Sequence, residues 1–318
     1  MRKDNLHDFN RFQWFIPLLA ASLFLFAMRG GFAAPPDFAQ VPAEVNWLVH
    51  VDVDALHGST VFQQVSKKAV ARWKSLAIPL DKVSQQYGVD LAKDLHGMTV
   101  FGSRLSRQKA LLLMRADWAS ETFRQKLALA PDHSVAADDP YEIHCFTQKD
   151  RGQVRPVAAA CWKPGIFVFG QAAGEVKFSM EVLDGKRPSL SGRSPLLAAE
   201  VPVGTILVAR MIQVGGCLPV ESPLLKQTEQ IDFVCGENAG EWFLDAKLQA
   251  KTPEAAQQVK QVAEGLLAMA RLRQAGDADS LKLLDRIQLR SDDRTIELDF
   301  HAPAADVARH AIKAMEKF

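Results

Sequence analysis

Strict alternation of apolar and polar positions runs through two segments of the chain. In W-L-V-H-V-D-V-D at residues 47–54, the polar positions are His50, Asp52 and Asp54. In the segment 296–301, they are Glu297, Asp299 and His301. Successive side chains of a strand point to opposite faces of its sheet. Each segment therefore predicts a strand with one apolar face and one wet face.

A unit of two short strands, a turn between them and a following helix recurs along the chain. The copies are residues 98–117 with a helix from Ser120, 159–170 with a helix to Leu183, 231–250 with a helix over 253–274, and 286–301 with a helix over 304–317. Strands joined by short turns pair in the antiparallel sense. The sequence therefore predicts an α+β fold of β-hairpins, with helices packed on one face of the sheet.

Two segments of the chain have similar sequences, which predicts that the protein consists of two similar halves. V-P-A-E-V-N-W-L-V-H-V at 41–51 is similar to V-P-V-G-T-I-L-V-A-R-M at 201–211. The pattern predicts a first half over residues 34–185 and a second half over 201–318, each close to β-α-ββα-ββα. Residues 186–200 are rich in Gly, Pro, Ser and charge, which predicts a linker. An internal duplication is one explanation of the similarity. The other is that unrelated α+β proteins share such patterns of strands, turns and helices.

The long predicted helix carries an apolar stripe. Val259, Val262, Leu266 and Met269 recur at three- and four-residue spacing. This periodicity is typical of an amphipathic helix, and it predicts that the stripe packs on the sheet.

The first 33 residues have the three-part pattern of a secretory signal peptide. A weakly positive start leads into an uncharged apolar run over residues 14–28, and Gly31 and Ala33 then place small residues before a cleavage after Ala33. The apolar run is shorter than the roughly 20 residues that span a bilayer. The pattern predicts export to the periplasm or the extracellular space. The alternative is an uncleaved N-terminal anchor, which would be the chain's one contact with a membrane.

Removal of this segment leaves a nearly neutral body. It has 34 Lys plus Arg and 35 Asp plus Glu, which is a net charge of −1. Nucleic-acid binding asks for a clustered basic face, so we expect no nucleic-acid partner.

Export affects the expected oxidation state of the cysteines. The chain has four, Cys145, Cys161, Cys217 and Cys235. An even number in an oxidising compartment predicts disulfides, and the spacing favours Cys145–Cys161 and Cys217–Cys235. Four buried free thiols are the alternative.

Three motifs resemble those of a family of exported bacterial proteins of unknown function. They are V-P-A-x-x-x-W-x-x-H-V-D-V-D-A-L from Val41, D-L-H-G-x-T-x-F-G from Asp94 and A-x-Q-V-x-x-V-A-E-G-L-L-A-M-A from Ala256. The resemblance implies an exported α+β protein, and it assigns no catalytic residue.

Sequence motifs of known catalytic sites are mostly missing. The chain has no G-x-S-x-G, H-E-x-x-H, Walker or G-x-G-x-x-G motif.

If the first and last strands were neighbours, their polar faces would gather two imidazoles and four carboxylates, a set that suits zinc, manganese or iron. That arrangement is the basis of an alternative hypothesis, a metal-assisted hydrolase. We favour wet strand faces, and with them a non-enzymatic binding or structural module of the cell envelope. Such a module would need no cofactor, and its partner would be an envelope protein or a small ligand.

Overall fold

The computed structural model describes residues 35–72, 90–105, 110–138, 140–150, 153–191, 196–217 and 226–316. The predicted signal peptide over 1–33 and its cleavage position after Ala33 lie outside these residues. Among the helices of the described ranges, none has the length and apolar character needed to cross a bilayer.

Strands and helices alternate along the chain in short units. The strands are β1 (Trp47–Asp52), β2 (Leu95–Gly102), β3 (Leu111–Ala116), β4 (Ser134–Asp138), β5 (Tyr141–Asp150), β6 (Gln153–Lys163), β7 (Ile166–Gly170), β8 (Thr205–Ile212), β9 (Thr228–Asn238), β10 (Glu241–Ala250), β11 (Ile287–Asp292) and β12 (Thr295–Pro303). The helices are α1 (Val53–Gly58), α2 (Thr60–Arg72), α3 (Leu91–Asp94), α4 (Ser120–Ala128), α5 (Ala173–Leu183), α6 (Val214–Cys217), α7 (Pro253–Arg273), α8 (Ala278–Leu284) and α9 (Ala304–Glu316), with a 3₁₀ turn over Phe38–Gln40.

All of these strands belong to one antiparallel sheet, so the predicted α+β fold of hairpins is confirmed. The strand order is β11-β12-β10-β9-β8-β1-β2-β3-β7-β6-β5-β4. Pairing of β1 with β8 joins the two predicted halves, with Val49 opposite Ala209. From this pair outward, the order is β1-β2-β3-β7-β6-β5-β4 on one side and β8-β9-β10-β12-β11 on the other, so the first predicted half has seven strands and not the five of the predicted pattern. The predicted duplication is compatible with this order and stays a prediction.

Helices cover both faces of the sheet, so the prediction of one helical face is wrong. We call the face of Val51, Phe167 and Ile296 the front face. On the front face, α1, α2 and α4 enclose a core in which the Phe123 and Phe167 rings lie 4.7 Å apart, and α7 and α9 cover its other end. On the back face, α5 packs Val176 and Met180 against Leu48, Phe101 and Val168. Strands in the middle of the sheet are therefore buried on both sides.

The described parts of the predicted linker, residues 186–191 and 196–200, pack leucines against the back face. Leu190 and Leu197 are fully buried in its core, and Ser189 forms a β-bridge with Pro42. Leu190 and Leu197 have apolar surface to bury, whatever the polar composition around them. Composition alone therefore missed its role as part of the core.

The predicted Cys145–Cys161 disulfide is not formed, and the predicted Cys217–Cys235 disulfide involves a side chain, that of Cys217, which lies outside the description. Cys145, Cys161 and Cys235 are free thiols. Cys145 lies opposite Ala158, three residues from Cys161, so the two cysteines point to opposite faces of the sheet. Cys145 packs against the back core and Cys161 against the front core. Proximity in sequence predicted a bridge that the alternation of the strand forbids.

The stripe on α7 faces the sheet only at its first position. Val259 packs with Ile296 and the buried alanines at the start of the helix. Val262, Leu266 and Met269 are 50%, 59% and 51% exposed. The predicted helix is therefore confirmed, and the predicted partner of its stripe is wrong for three of the four residues.

Candidate functional site

The two predicted polar strand faces do not converge. Strands β8, β9 and β10 separate β1 from β12. Four strand spacings put the two sets roughly 19 Å apart, whereas metal–ligand bonds are about 2 Å. In the described ranges, no three or more His, Cys, Asp or Glu side chains are grouped so as to hold a metal ion. The metal-site hypothesis for His50, Asp52, Asp54, Glu297, Asp299 and His301 is therefore wrong.

His50, Asp52 and Asp54, the set at the end of β1, have structural roles and do not form a solvent-exposed face. His50 is 6% exposed and its Nδ1 lies 2.8 Å from the Thr99 hydroxyl, while Asp52 is 1% exposed. The Asp52 carboxylate accepts a hydrogen bond from the Ala55 backbone N–H at 2.8 Å and so caps α1. The chain turns into this helix at Val53, two residues earlier than the alternation predicts.

Asp54 belongs to a cluster that the sequence analysis missed. His96 Nδ1 lies 3.0 Å from Asp54 Oδ1, and His96 Nε2 lies 3.1 Å from Asp117 Oδ2. Burial lowers the pKa of His96, but the hydrogen bonds to Asp54 and Asp117 and their charges outweigh it, so the pKa is raised. In the sequence, His96 is followed by Gly97. This pair is typical of a turn, so it did not indicate a cluster with Asp54 and Asp117.

The geometry of His96 limits its chemistry. A ring that donates from both nitrogens is an imidazolium, and it has no lone pair for a metal or a substrate proton. The cluster instead ties α1, the start of β2 and the segment after β3 together. We assign it a structural role.

The second set lies on a bare part of the sheet. The described helices that pack on β10, β11 and β12 are chiefly α7 and α9, with α2 against Trp242, and all of them lie on the front face. The back face of these three strands is lined by charged and polar side chains. Lys247–Glu297 and Arg290–Asp299 are ion pairs at 2.8 Å and 3.7 Å, and His301 Nε2 lies 3.3 Å from Asp245 Oδ1. The predicted wet face is therefore present on β12 and not on β1.

A basin of about 570 Å³ opens on this bare face. It is lined by Glu241, Asp285, Arg286, Gln288, Arg290, Asp299 and His301. Its volume is in the range of small-molecule pockets, but it is polar and open where those are mostly apolar and closed. His301 forms part of the floor by stacking on Phe243, with ring centroids 6.3 Å apart.

The two arginines of the basin are only partly engaged by the protein. Arg290 is 64% exposed at its side chain, and its Nη2 donates to Gln288 Oε1 at 2.5 Å. The nearest Asp299 oxygen lies 3.7 Å away, longer than a direct hydrogen bond. Arg286 donates to the His301 carbonyl at 3.4 Å, and within the described ranges it has no ion pair. Glu241, Asp285 and Asp299 place carboxylates beside them. The basin therefore presents both signs of charge within one small area.

No protein-family model and no curated protein matches the chain. Among solved structures, the chain is similar to crystal form I of TP0453, with 7% identity, a TM-score of 0.48 and coverage of 89% of this chain and 98% of that one. Crystal form III of TP0453 is similar at 6% identity and a TM-score of 0.47, with coverage of 87% and 97%.

Proposed function

We propose that the protein is an exported, non-enzymatic binding module of the cell envelope, and that the back face of β10, β12 and β11 holds its ligand. The observation that carries the proposal is the charged basin of about 570 Å³ on that face. Elsewhere the same face is packed under α5 and the segment around Leu190 and Leu197. The N-terminal pattern supports export.

The charges of the basin indicate the chemistry of the ligand. Guanidinium groups bind carboxylates through two parallel hydrogen bonds, and Arg286 and Arg290 supply two such groups. The carboxylates of Glu241, Asp285 and Asp299 suit an ammonium group. A short peptide with both termini free carries these two charges at once. We assign a zwitterionic peptide as the ligand class.

Thermal denaturation with a matched pair of peptides tests the proposal. The zwitterion Gly-Gly-Gly should raise the melting temperature, because a ligand that binds only the folded state stabilises it by about 2.7 kcal/mol at a hundredfold excess over its Kd. The same peptide acetylated and amidated at its ends carries neither charge, and it should leave the melting temperature unchanged.

Variants of the protein locate the effect. The change Arg286→Ala with Arg290→Ala should abolish the shift by the free peptide. Lys247→Ala is the matched control, since Lys247 lies on the same face and pairs with Glu297 but does not line the basin. Equal shifts by both peptides, a shift that survives the double arginine change, or no shift by either peptide would each contradict the proposal.

A further inference from the structure

Strand β11 forms one edge of the sheet. It stands at the end of the strand order, and its one neighbour among the described strands is β12. It is six residues long, from Ile287 to Asp292, which is an ordinary strand length. An edge strand presents a row of backbone N–H and C=O groups that its own sheet does not use. The register of the β11–β12 hairpin determines which residues carry that row.

The outward-pointing backbone groups belong to Ile287, Leu289 and Ser291. Asp292 and Thr295 flank the two-residue turn between β11 and β12, so they form a hydrogen-bonded pair. Hydrogen-bonded and non-hydrogen-bonded pairs alternate along an antiparallel ladder, so every second residue back from Asp292 points its N–H and C=O toward β12. The three residues between them point these groups away from β12. Within the described ranges, no hydrogen bond reaches the outward groups.

The spacing of this row matches an extended peptide. Alternate residues of a strand are roughly 6.8 Å apart, and each offers one backbone donor and one acceptor. The backbone of any extended chain has the same repeat, which is the basis of strand addition at sheet edges. The edge of β11 therefore offers a peptide three pairs of backbone hydrogen bonds.

The side chains of β11 and of the residue before it add a charge preference. Arg286, Gln288 and Arg290 are exposed and line the basin on the back face. Ile287 and Leu289 alternate with them and are half-buried, with Leu289 packed beneath α7 on the front face. Side chains directly opposite each other on neighbouring strands lie about 4.5–5.5 Å apart. A strand added beside β11 would therefore place alternate side chains next to the two arginines.

The other edge of the described sheet lacks these cations. Strand β4 has the sequence S-V-A-A-D over Ser134–Asp138, with no basic residue. Carboxylates on a peptide therefore favour β11 over β4.

We infer that the peptide ligand adds to the sheet as an extended strand antiparallel to β11, with carboxylates beside Arg286 and Arg290. The inference rests on the proposed function, since it takes the same class of ligand, and it adds the conformation and the acidic side chains. Antiparallel pairing is slightly more stable than parallel pairing, and it is the sense of both ladders on β12. Backbone hydrogen bonds give affinity for an extended peptide, and the arginines select an acidic one.

Calorimetric titration of the full-length chain with a seven-residue peptide tests the inference. In Ala-Glu-Ala-Gln-Ala-Glu-Ala with free ends, the two glutamates are four residues apart, as the two arginines are. With the glutamates opposite Arg290 and Arg286, the N–H of the third peptide residue donates to the Leu289 carbonyl, whereas the N–H of the fourth points to solvent. N-methylation of the third residue should weaken binding by about tenfold or more, and N-methylation of the fourth should change it by less than about twofold.

A second peptide tests the charge preference. Lysine in place of both glutamates should weaken binding by about tenfold, because like charges directly opposite each other are destabilising. Equal binding of the two methylated peptides, or of the glutamate and lysine peptides, would overturn the added strand. The melting-temperature shift by Gly-Gly-Gly measures the basin alone, so its presence beside either result leaves the proposed function standing. Binding of none of these peptides would overturn both.

Proline on the edge tests the same hydrogen bonds from the side of the protein. Leu289→Pro removes an N–H that β12 does not use, and proline is tolerated at such edge positions. It should weaken binding of the seven-residue peptide by about tenfold or more. Val135→Pro is the control, since Val135 is 45% exposed and its N–H points away from β5 on the other edge. Equal effects of the two prolines would overturn the inference, and the methylated peptides decide it if Leu289→Pro fails to fold.

Sedimentation velocity of the peptide-free chain tests a second copy as the other occupant of the edge. We expect the natural chain and Leu289→Pro to sediment alike. A dimer that Leu289→Pro dissociates would assign the edge of β11 to a second copy and overturn the inference.

Discussion

Arg210 provides the sharpest test of how residues 197–200 are held on the sheet. It lies on β8 in the middle of the sheet and is 2% exposed. Its Nε donates to Asp232 Oδ1 at 2.8 Å, and Nη1 donates to the Ala199 carbonyl at 2.6 Å. Weaker bonds reach the carbonyls of Leu197 and Glu200 at 3.4 Å and 3.3 Å. One side chain therefore fastens the segment between the halves to the sheet.

The change Arg210→Ala removes the cation and leaves its partners behind. Breaking a buried ion pair by removing one member costs 3–5 kcal/mol, because the other charge stays unpaired. Asp232 is 22% exposed, so water offsets part of this cost. We expect a loss of about 3 kcal/mol in the free energy of unfolding, or about 6–12 °C in melting temperature for a chain of this size.

Urea denaturation followed by far-UV circular dichroism measures this loss. Arg210→Lys should recover part of it, since an ammonium group restores the charge beside Asp232 but not the fork that reaches the carbonyls. Arg294→Ala is the matched control, because its ion pair with Glu229 is 3.7 Å long and exposed on both sides, and such pairs contribute 0–1 kcal/mol. If Arg210→Ala costs no more than Arg294→Ala, the fastening role of Arg210 is refuted.

Two further predictions concern titratable groups. Because the folded-state pKa of His96 is raised, the stabilisation from its charged form is complete below its unfolded pKa of about 6.5 and is lost as the pH rises through the folded value. The stability difference between the natural chain and His96→Gln should therefore be larger at acidic than at alkaline pH in urea titrations, and a difference that grows with pH would contradict this. Burial raises the pKa of the Cys235 thiol to about 12, so little thiolate forms at neutral pH. Iodoacetamide should leave Cys235 unmodified in the folded protein and modify it in urea, as peptide masses report, and equal labelling in both states would refute its burial.

Local structure was within reach of the sequence, because it depends on residues close together in the chain. The periodicity predicts a helix over 253–274, and α7 spans Pro253–Arg273. The predicted hairpin over 286–301 is β11 and β12. Turn chemistry and side-chain period act within a few residues, so a single sequence contains this information.

Only part of the candidate site could be predicted from the sequence. The alternation on β12 predicted a polar face, and Glu297, Asp299 and His301 lie on one. Arg286 and Arg290, the cations of the basin, gave no signal, because their meeting depends on the pairing of β11 with β12. His96 was missed for the same reason, since Asp54 and Asp117 come from different elements.

The sequence by itself predicted most of the strands and helices, though not β4 and β5, and it predicted where those hairpins turn and which sides of those elements are apolar. Only the tertiary structure decided what each side meets. β1 and β12 have the same alternation, yet His50 is buried and His301 is exposed, since β1 is central under covered faces while β12 lies near an edge with a bare one. An apolar stripe on α7 was equally visible, and most of it points away from the sheet. The spacing of apolar residues along a strand or a helix is a property of the sequence. Whether the face that they form is buried depends on neighbours that are distant in sequence.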